Sequence, residues 1–349
     1  MKIIVVGATG YTGKLVCKQL DKENIHFDIT GRDMTGLLLL KEKYKSIDNI
    51  VIADVMDKKG VDEILNSDII INCVGPFYIY ANLLLEAVVK QSKIYFDISG
   101  EELFVDNSIE KFAETSKSNG AVLVHSAAFE SALVEVMVNL LMQNSRGVES
   151  VNSYYRFEQS KPSPGTRFTM KLSRFIETFI IKNGEKIKTN NIANDIGSSF
   201  EVNGSQYYPI HYPMPEIPLL AYKFGIKNIA SFLLVDKLSA SVSKNAIGNK
   251  SEMADVIRRF IKRKSKGPTE MQRENQYFDL IVDVKYDNDT NKQMRLSGKD
   301  MYMITAKIIS YLVRTILKSS IKFKGIVTPY ELIKGEEKEF FEYLGVDVY

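Results

Sequence analysis

Three glycines stand at intervals of three near the start of the chain, directly behind the aliphatic run KIIVV. They are Gly7, Gly10 and Gly13. In such a turn a first glycine allows a tight bend, a second lets the backbone approach a ligand, and a third lets the following helix pack on the strand. The first N–H groups of that helix then carry positive partial charge and lack partners within the helix. The stretch therefore predicts a site for a pyrophosphate group.

The residues between these glycines complete the expected loop. Thr9 and Thr12 can add hydroxyl contacts to the phosphates, and Tyr11 stands between them where the helix begins. The alternative interpretation is a turn whose glycines serve backbone geometry alone. It is less favoured because a strand precedes the loop, and a helix and a second strand follow it. We predict a dinucleotide-binding βαβ unit.

The end of the second predicted strand, DITGRD, bears on which dinucleotide fits. An NAD site usually carries an acidic residue there to accept from the ribose 2′-hydroxyl. Here Asp28 lies inside the strand, and Gly31 and Arg32 occupy its end. A guanidinium group suits a 2′-phosphate, and Asp33, one residue later, opposes this only in part. NADP(H) is favoured over NAD(H); an ordinary solvated charge is the alternative for Arg32.

Two further stretches are expected to contact this cofactor. Asp54 follows the third predicted strand, where a carboxylate can accept from an adenine amino group; a helix N-cap explains it equally well. The fourth strand ends in the run Cys73, Val74, Gly75, Pro76 and Phe77. Ligands of open α/β sheets bind at this carboxyl edge, so we expect these five residues beside the nicotinamide ribose.

Hydride transfer to a C=C, C=N or C=O bond also needs a proton donor at the carboxyl edge. Tyr78 and Tyr80 directly follow the nicotinamide-side loop and can donate; aromatic packing is the favoured alternative. Asp97, after the fifth strand, and Glu101 can orient a cationic substrate or a water, or cap a helix. His125 lies inside an apolar run, where a hydrogen-bonded core histidine is more common than a general acid.

The elements that would hold these residues alternate regularly along the first part of the chain. Six aliphatic strands separated by helices predict an α/β fold, with an N-terminal Rossmann-type parallel sheet over residues 1–130. Residues 131–318 are expected to form a second, α+β domain for substrate binding or dimerisation. Residues 319–349 are expected to return to the Rossmann domain. Within the second domain we predict a helix over 167–184, an irregular loop over 207–218 and a hairpin over 276–298.

Composition excludes several classes of function. The chain has 349 residues, of which 45% are hydrophobic and 26% charged, and a net charge of +3. This charge is too small to indicate nucleic-acid binding. Two cysteines, Cys17 and Cys73, and three scattered histidines give no metal-ligand spacing, so no metal is predicted. No stretch is long and apolar enough to span a membrane, and a cytoplasmic protein is expected.

The motifs GATGYTGKLV, TGR, INCVGPF, IYFDISGE and AFES, in this order, resemble the saccharopine dehydrogenase-like oxidoreductases, especially the branch with trans-acting enoyl reductases. Looser similarity continues through PGT, GKDMYMIT and GIVTP, and so covers nearly the whole chain. The resemblance implies NADP(H) on a Rossmann domain and a second domain that closes over the substrate. Ala81, Glu130 and Glu135 depart from the family's pattern near the expected active-site rim and bear on substrate identity.

The substrate and partners are indicated only broadly. Residues 168–235 are rich in Phe, Tyr, Leu and Ile, which favours a hydrophobic, lipid-like substrate; an interior helix or a homodimer interface explains them equally well. The run IRRFIKRKSK is a solvated helix end or a peripheral contact with anionic lipid. Two rival functions stay open: a non-catalytic NADP(H)-binding protein, and a saccharopine-type amino-acid dehydrogenase, which would require an arginine-lined carboxylate pocket.

Overall fold

A computed structural model describes residues 1–143, 147–189, 199–243, 266–320 and 322–349. These residues form two compact units, each assembled from separate parts of the chain. Unit 1 comprises Met1–Gly100, Phe104–Ala132 and Tyr302–Leu344, and unit 2 comprises Glu101–Leu103, Leu133–Met301 and Gly345–Tyr349.

The first 124 residues alternate strands and helices, as the sequence predicts. The elements are β1 (Ile3–Val6), α1 (Tyr11–Lys22), β2 (Phe27–Gly31), α2 (Met34–Lys43), β3 (Ile47–Ile52), α3 (Lys58–Ile64), β4 (Ile69–Asn72), α4 (Phe77–Tyr80), α5 (Asn82–Lys90), β5 (Ile94–Asp97), α6 (Glu102–Asn119) and β6 (Val122–Val124). Asp33 and Asp57 begin α2 and α3 by accepting from the N–H groups of Gly36 and Gly60. Such caps satisfy N–H groups that have no partner inside the helix.

The sheet of unit 1 has seven strands among the described residues, in the order β15-β6-β5-β4-β1-β2-β3, and β15 is Gly325–Ile326. Every pairing in it is parallel. β1 and β4 are buried along their whole length, which suits their continuous aliphatic sequence. The strand order reverses between β1 and β4, so this is the switch point at which such sheets bind ligands. The predicted Rossmann-type parallel sheet is confirmed.

The last segment contributes to unit 1 through α12 (Met301–Lys318), β15, α13 (Pro329–Ile333) and α14 (Glu337–Leu344). Arg314 lies over the rings of Tyr311 and Tyr343, 4.6 Å and 5.3 Å from their centroids. Glu23 of α1 accepts from the Tyr343 hydroxyl at 2.7 Å and from Arg314 at 3.3 Å. Tyr302–Leu344 therefore group with unit 1, ahead of the boundary predicted at residue 318. Gly345–Tyr349 group instead with unit 2, where β16 pairs with β14, so only part of residues 319–349 returns to the Rossmann domain.

Unit 2 contains most of the remaining elements, of which the first, a helix, belongs to it from Leu133 onward. They are α7 (Phe129–Met142), β7 (Val148–Glu158), α8 (Pro164–Leu172), a 3₁₀ turn (Ser173–Phe175), β8 (Thr178–Lys182), β9 (Glu185–Thr189), β10 (Phe200–Val202), β11 (Ser205–His211), α9 (Glu216–Phe224), β12 (Ile229–Val235), α10 (Lys237–Ser243), α11 (Glu270–Glu274), β13 (Tyr277–Tyr286), β14 (Asn291–Lys299) and β16 (Asp347–Val348). The described strands form a mixed nine-stranded sheet with the path β10-β11-β12-β7-β13-β14-β16, and β8 and β9 branch from β12. The second α+β domain and the predicted hairpin are confirmed.

The helix predicted over 167–184 is wrong in its second half. The helix ends at Leu172, and Thr178–Lys182 is a strand that pairs with Glu185–Thr189. Asn183 and Gly184 both have positive φ, 54° and 83°, and make the two-residue turn of this hairpin. An Asn-Gly turn of this kind matches the twist of the flanking strands, and it overrides the helical spacing of the apolar residues.

The irregular loop predicted over 207–218 is also wrong in its first part, since β11 continues to His211. The described part of β10 pairs only with residues 205–207 of β11. Among the described residues nothing pairs with the β10 side of β11 at Pro209, so the missing proline N–H breaks no described ladder bond there. The basic run IRRFIKRKSK lies almost wholly outside the described residues. No helix among those described is long and apolar enough to cross a membrane.

Candidate functional site

The glycine loop after β1 adopts a conformation that demands glycine. Gly7 has φ +77°, and its N–H donates to the Thr30 carbonyl at 3.0 Å. The Gly10 N–H donates to the Gly7 carbonyl at 2.9 Å, which closes the turn. A Cβ atom on Gly13 would lie 2.3 Å from the Gly7 oxygen, so a side chain there would push helix α1 off the loop.

Helix α1 begins behind this turn without a side-chain cap. Its N-cap residue is Gly10, which is exposed and gives no side-chain hydrogen bond to the helix. Thr9 and Thr12 are half-buried around it, and the ring of Tyr11 packs edge-on against Tyr302 at 5.0 Å. The first N–H groups of the helix can therefore donate to an anion. These donors and the absence of a Cβ at Gly10 fit the pyrophosphate of a dinucleotide.

The loop at the end of β4 lies directly against the glycine turn. A Cβ atom on Gly7 would come within 2.6 Å of Val74 Cγ2 and 3.4 Å of the Cys73 carbonyl carbon. The Gly75–Pro76 peptide bond is cis, and Phe77 begins helix α4. The structure thus brings together two of the predicted groups, the glycine loop and the run from Cys73 to Phe77, across the switch point of the sheet.

The residues expected around the adenosine half also lie together. The exposed Arg32 guanidinium is 3.5 Å from the Asp54 carboxylate, and its side chain is 79% exposed. Asp33 is turned towards helix α2, where its carboxylate accepts from the Gly36 N–H at 3.1 Å. This cap keeps the Asp33 carboxylate on the helix. The position next to the end of β2 is therefore held by an exposed cation whose ion-pair partner is Asp54 and not Asp33.

The structure separates the two interpretations of Asp54. The helix that follows β3 is capped by Asp57, whose carboxylate accepts from the Gly60 N–H at 3.1 Å. Asp54 instead accepts from the Met56 N–H at 3.0 Å in a local turn and faces Arg32 with its other oxygen. Asp54 is therefore not the N-cap of this helix, and its partly exposed carboxylate stands at the carboxyl edge of the sheet.

Asp97, at the end of β5, is wholly buried and surrounded by donors. One carboxylate oxygen accepts from the Ser99 and Ser126 N–H groups at 3.0 Å and 2.8 Å. The other lies 2.6 Å from Nδ1 of His125, whose Nε2 is 2.8 Å from the Ser108 hydroxyl. All three side chains of this Asp97–His125–Ser108 chain are buried. Its geometry favours a structural role for His125, and it leaves Asp97 no exposed face for a substrate.

The two tyrosines expected to donate a proton are accessible. Tyr78 is 39% exposed and Tyr80 is half-buried, both in the short helix α4 that follows the Cys73–Phe77 loop. Glu101 belongs to unit 2, where its carboxylate lies 3.3 Å from the Thr169 hydroxyl. Of the candidates for proton transfer, the tyrosines alone combine accessibility with a place beside the predicted nicotinamide-side loop.

Sequence reasoning missed Asn72, the last residue of β4. Its side chain is buried, accepts from the Val74 N–H at 3.0 Å and donates to the Tyr95 hydroxyl at 3.0 Å. The signal in the sequence is a single amide at the end of the aliphatic run DIII, immediately before the loop. A polar residue at that point of a buried strand needs partners, and the loop backbone supplies one of them.

Slow thiol exchange at Cys73 is a direct expectation from this site. Burial, assisted by the nearby Asp97 carboxylate, raises the pKa of Cys73 to about 12. Because the thiolate is the reactive form, Ellman's reagent near pH 8 should react with Cys73 much more slowly in the folded protein than in the unfolded chain. Burial also raises the pKa of Cys17, and a Cys73→Ser variant assigns the two signals. Reaction of folded Cys73 at the unfolded rate would contradict this placement.

Unit 2 offers no unengaged arginine pocket among its described side chains. The buried Asp279 carboxylate accepts from Nε of Arg156 at 2.6 Å and from Nε of Arg295 at 2.8 Å. The other arginines of this unit with described side chains are also engaged, Arg167 by the Pro162 carbonyl and Arg273 by the Asp300 carboxylate. Among the described residues, no group of three or more His, Cys, Asp and Glu side chains has the arrangement of a metal site.

The uncapped helix behind a glycine turn, at the switch point of a parallel sheet, defines unit 1 as a Rossmann-type nucleotide-binding fold. A family model described as "NAD dependent epimerase/dehydratase family" matches residues 3–88. The matched residues include the glycine loop and the Cys73–Phe77 loop.

Curated relatives are similar over less than half of the chain. "Lipid droplet localized protein" of Caenorhabditis elegans is 27% identical over 157 residues, which are 42% of this chain and 37% of the relative. "Saccharopine dehydrogenase-like oxidoreductase" of Bos taurus is 26% identical over 147 residues, 37% of this chain and 34% of the relative. "Trans-acting enoyl reductase" of Mycobacterium ulcerans is 27% identical over 150 residues, 41% and 36% of the two. The chain thus matches little more than a third of each relative's length.

The fold is similar to a solved structure over the whole chain. Apo saccharopine dehydrogenase (L-Glu forming) of Saccharomyces cerevisiae covers 100% of this chain and 99% of its own, with a TM-score of 0.64 and 11% identity. At this identity the match shows the fold alone. Together with the curated relatives, it confirms the resemblance to saccharopine dehydrogenase-like oxidoreductases that the motifs indicated.

Proposed function

We propose that this protein is an NADPH-dependent oxidoreductase of the saccharopine dehydrogenase-like type, which reduces a C=C or C=N bond in a small or lipid-like hydrophobic substrate. The observation that carries the proposal is the uncapped start of helix α1 behind the turn of Gly7 and Gly10, directly against Val74. The printed names of the bovine and mycobacterial relatives support the reaction class.

The proposal gives each predicted residue a role in holding the cofactor. The glycine loop would bind the pyrophosphate, Arg32 the 2′-phosphate and Asp54 the adenine amino group. The nicotinamide ribose would lie against the loop Cys73, Val74, Gly75, Pro76 and Phe77. Bound NADPH would supply the hydride. The protein would orient the nucleotide, exclude water and deliver a proton.

A hydrophobic substrate is supported by the chemistry of unit 2. An amino-acid substrate needs unengaged cations for its carboxylate, and Arg156 and Arg295 already share the buried carboxylate of Asp279. The name of the nematode relative supports a lipid-like substrate and peripheral contact with a lipid surface. A small-molecule substrate also agrees with the net charge of +3, which is small for a nucleic-acid partner.

Burial of Asp97 favours a second candidate, a cofactor-binding protein without turnover. Asp97, one of the three side chains predicted to be catalytic, is sealed from solvent. Of those three, only Tyr78 and Tyr80 are then left to take part in reduction. A protein that bound NADPH for sensing or stability would need neither tyrosine hydroxyl, so the two candidates differ in a testable way.

Substrate turnover is expected to depend on Tyr78 or Tyr80. A panel of enoyl, imine and keto compounds with apolar tails is screened for oxidation of NADPH. Loss of the donating hydroxyl in Tyr78→Phe or Tyr80→Phe should lower kcat by about a hundredfold and leave the Kd for NADPH unchanged. Tyr222→Phe, with a tyrosine that is 40% exposed in unit 2, is the matched control and should keep full activity.

Each outcome of this screen discriminates between the candidates. NADPH oxidation with an enoyl or imine compound supports the reductase. Tight NADPH binding without turnover across the panel favours the non-catalytic protein, and turnover of an amino acid alone would favour the saccharopine-type dehydrogenase. Absence of nucleotide binding would reject all three.

A further inference from the structure

Two buried side chains stand next to each other where β4 and β5 end. Asn72 and Asp97 are Cα partners in the parallel pairing of these strands. Both are 0% exposed, so neither can touch a ligand directly. Their polar atoms are nevertheless satisfied by the backbone and side chains of the loops at the carboxyl edge. Buried polar groups with such a complete set of partners fix the groups they bind.

Asn72 holds the start of the Cys73–Phe77 loop. Its amide oxygen accepts from the Val74 N–H at 3.0 Å, and its amide nitrogen donates to the hydroxyl of Tyr95 at 3.0 Å. Tyr95 is itself 0% exposed and contacts the ring of His125 edge-on, with centroids 6.0 Å apart. The N–H of Val74 is therefore tied to a rigid point in the core.

Asp97 holds the other end of the same loop through a chain of rings. Its carboxylate fixes His125 at 2.6 Å, and His125 packs edge-on against Phe104 with centroids 5.6 Å apart. Phe104 in turn packs against Phe77 at 5.7 Å. The first and last parts of the loop are thus anchored by Asn72 and by Asp97 respectively, within one unit of the fold.

We propose that Asn72 and Asp97 are positioning residues, which hold the Cys73–Phe77 loop in the shape that receives the nicotinamide half of the cofactor. The inference rests on the proposed function. It predicts a selective effect, because the adenosine half of the cofactor would bind at β2 and β3, away from this network. If the two side chains served only the stability of the fold, their removal would weaken binding of the adenosine half and of the whole cofactor equally.

The test compares two nucleotides by calorimetry, NADPH and adenosine 2′,5′-bisphosphate, which lacks the nicotinamide. Asn72→Ala frees the Val74 N–H, and should weaken NADPH about tenfold or more while the bisphosphate binds within threefold of its original affinity. Asn119→Ala is the control. Asn119 also bridges two backbone groups, the Val89 carbonyl and the Ala121 N–H, but near the amino end of the same sheet. It should leave both affinities unchanged.

Asp97 is tested by a pair of variants. Asp97→Asn can keep all its contacts if His125 changes tautomer, and should bind NADPH within about threefold of the original protein. Asp97→Ala removes these contacts. It should lower the affinity for NADPH and leave the affinity for the bisphosphate nearly unchanged, as Asn72→Ala should. Both are compared under conditions where thermal melting shows the folded protein.

The inference would be overturned if Asn72→Ala and Asp97→Ala lost equal affinity for the two nucleotides, or if neither variant lost affinity for NADPH. A loss in Asp97→Asn as large as in Asp97→Ala would also overturn it for Asp97, since charge and not position would then be the cause. If the unaltered protein bound neither nucleotide, the proposed function itself would fail, which is a distinct outcome.

Discussion

Gly10→Val is expected to abolish NADPH binding while the protein stays folded. Gly10 is exposed at the N-cap of helix α1, and its missing side chain leaves the helix N–H groups open to the pyrophosphate. A branched side chain would stand between those donors and the ligand. The Kd should rise by at least about a hundredfold, which corresponds to roughly 2.7 kcal/mol. Calorimetric titration with NADPH measures it.

Stability separates this effect from unfolding. A Cβ atom on Gly10 meets only the Gly7 oxygen, at 3.0 Å, so the free energy of unfolding should fall by no more than about 1 kcal/mol. Gly165→Ala is the control, because a Cβ atom there has ordinary contact with Ser163 Oγ at 3.8 Å. It should leave NADPH binding unchanged and should not lower the free energy of unfolding, because alanine suits a helical position better than glycine. Undiminished NADPH affinity in Gly10→Val would contradict a pyrophosphate at this helix.

Arg32→Ala is expected to weaken NADPH binding by about thirtyfold, roughly 2 kcal/mol or the value of one charge-assisted hydrogen bond, and to leave NADH binding within about twofold. The guanidinium stands at the end of β2 with most of its surface exposed, and Asp33 is held by its helix. Arg32 can therefore bind a 2′-phosphate without opposition from its neighbour. Parallel fluorescence titrations with the two nucleotides give the ratio. Equal weakening of both would remove the 2′-phosphate role.

Substitution of Asp54, the ion-pair partner of Arg32, is expected to change the preference for NADPH in the opposite direction. Asp54 lies 3.5 Å from the guanidinium and competes with a 2′-phosphate for it. Asp54→Asn removes this competition. Both nucleotides carry the adenine that Asp54 is expected to contact, so a change in that contact affects NADPH and NADH alike. The ratio of the two affinities should therefore shift towards NADPH by up to about fivefold, since an exposed ion pair is worth no more than about 1 kcal/mol.

The parts of the site that were predictable depend on short stretches of sequence. Gly7, Gly10 and Gly13 lie within seven consecutive residues, and Arg32 stands immediately after the predicted end of a strand, so both could be singled out from local sequence. The alternation of aliphatic strands with helices likewise specifies a parallel sheet with its switch point at β1. Local spacing therefore sufficed for the six strands of residues 1–124, whereas β15, which joins the same sheet, comes from residues 325–326.

The parts that were not predictable depend on distant contacts. Asp97 was expected to be a catalytic candidate, but its partner His125 is 28 residues away and encloses it. Asn72 escaped notice because Tyr95, which fixes it, is 23 residues away. In unit 2 the apolar spacing around Thr178–Lys182 suggested a helix, and only the turn at residues 183 and 184 together with pairing to β12 makes it a strand.

The most direct test of the account is calorimetric titration of the unaltered protein with NADPH, in parallel with Gly10→Val. The account predicts saturable binding with one nucleotide per chain, tighter for NADPH than for NADH, and its loss in the variant. No heat of binding with either nucleotide, or equal heat in Gly10→Val, would contradict the claim that the glycine turn and helix α1 hold the cofactor's phosphates.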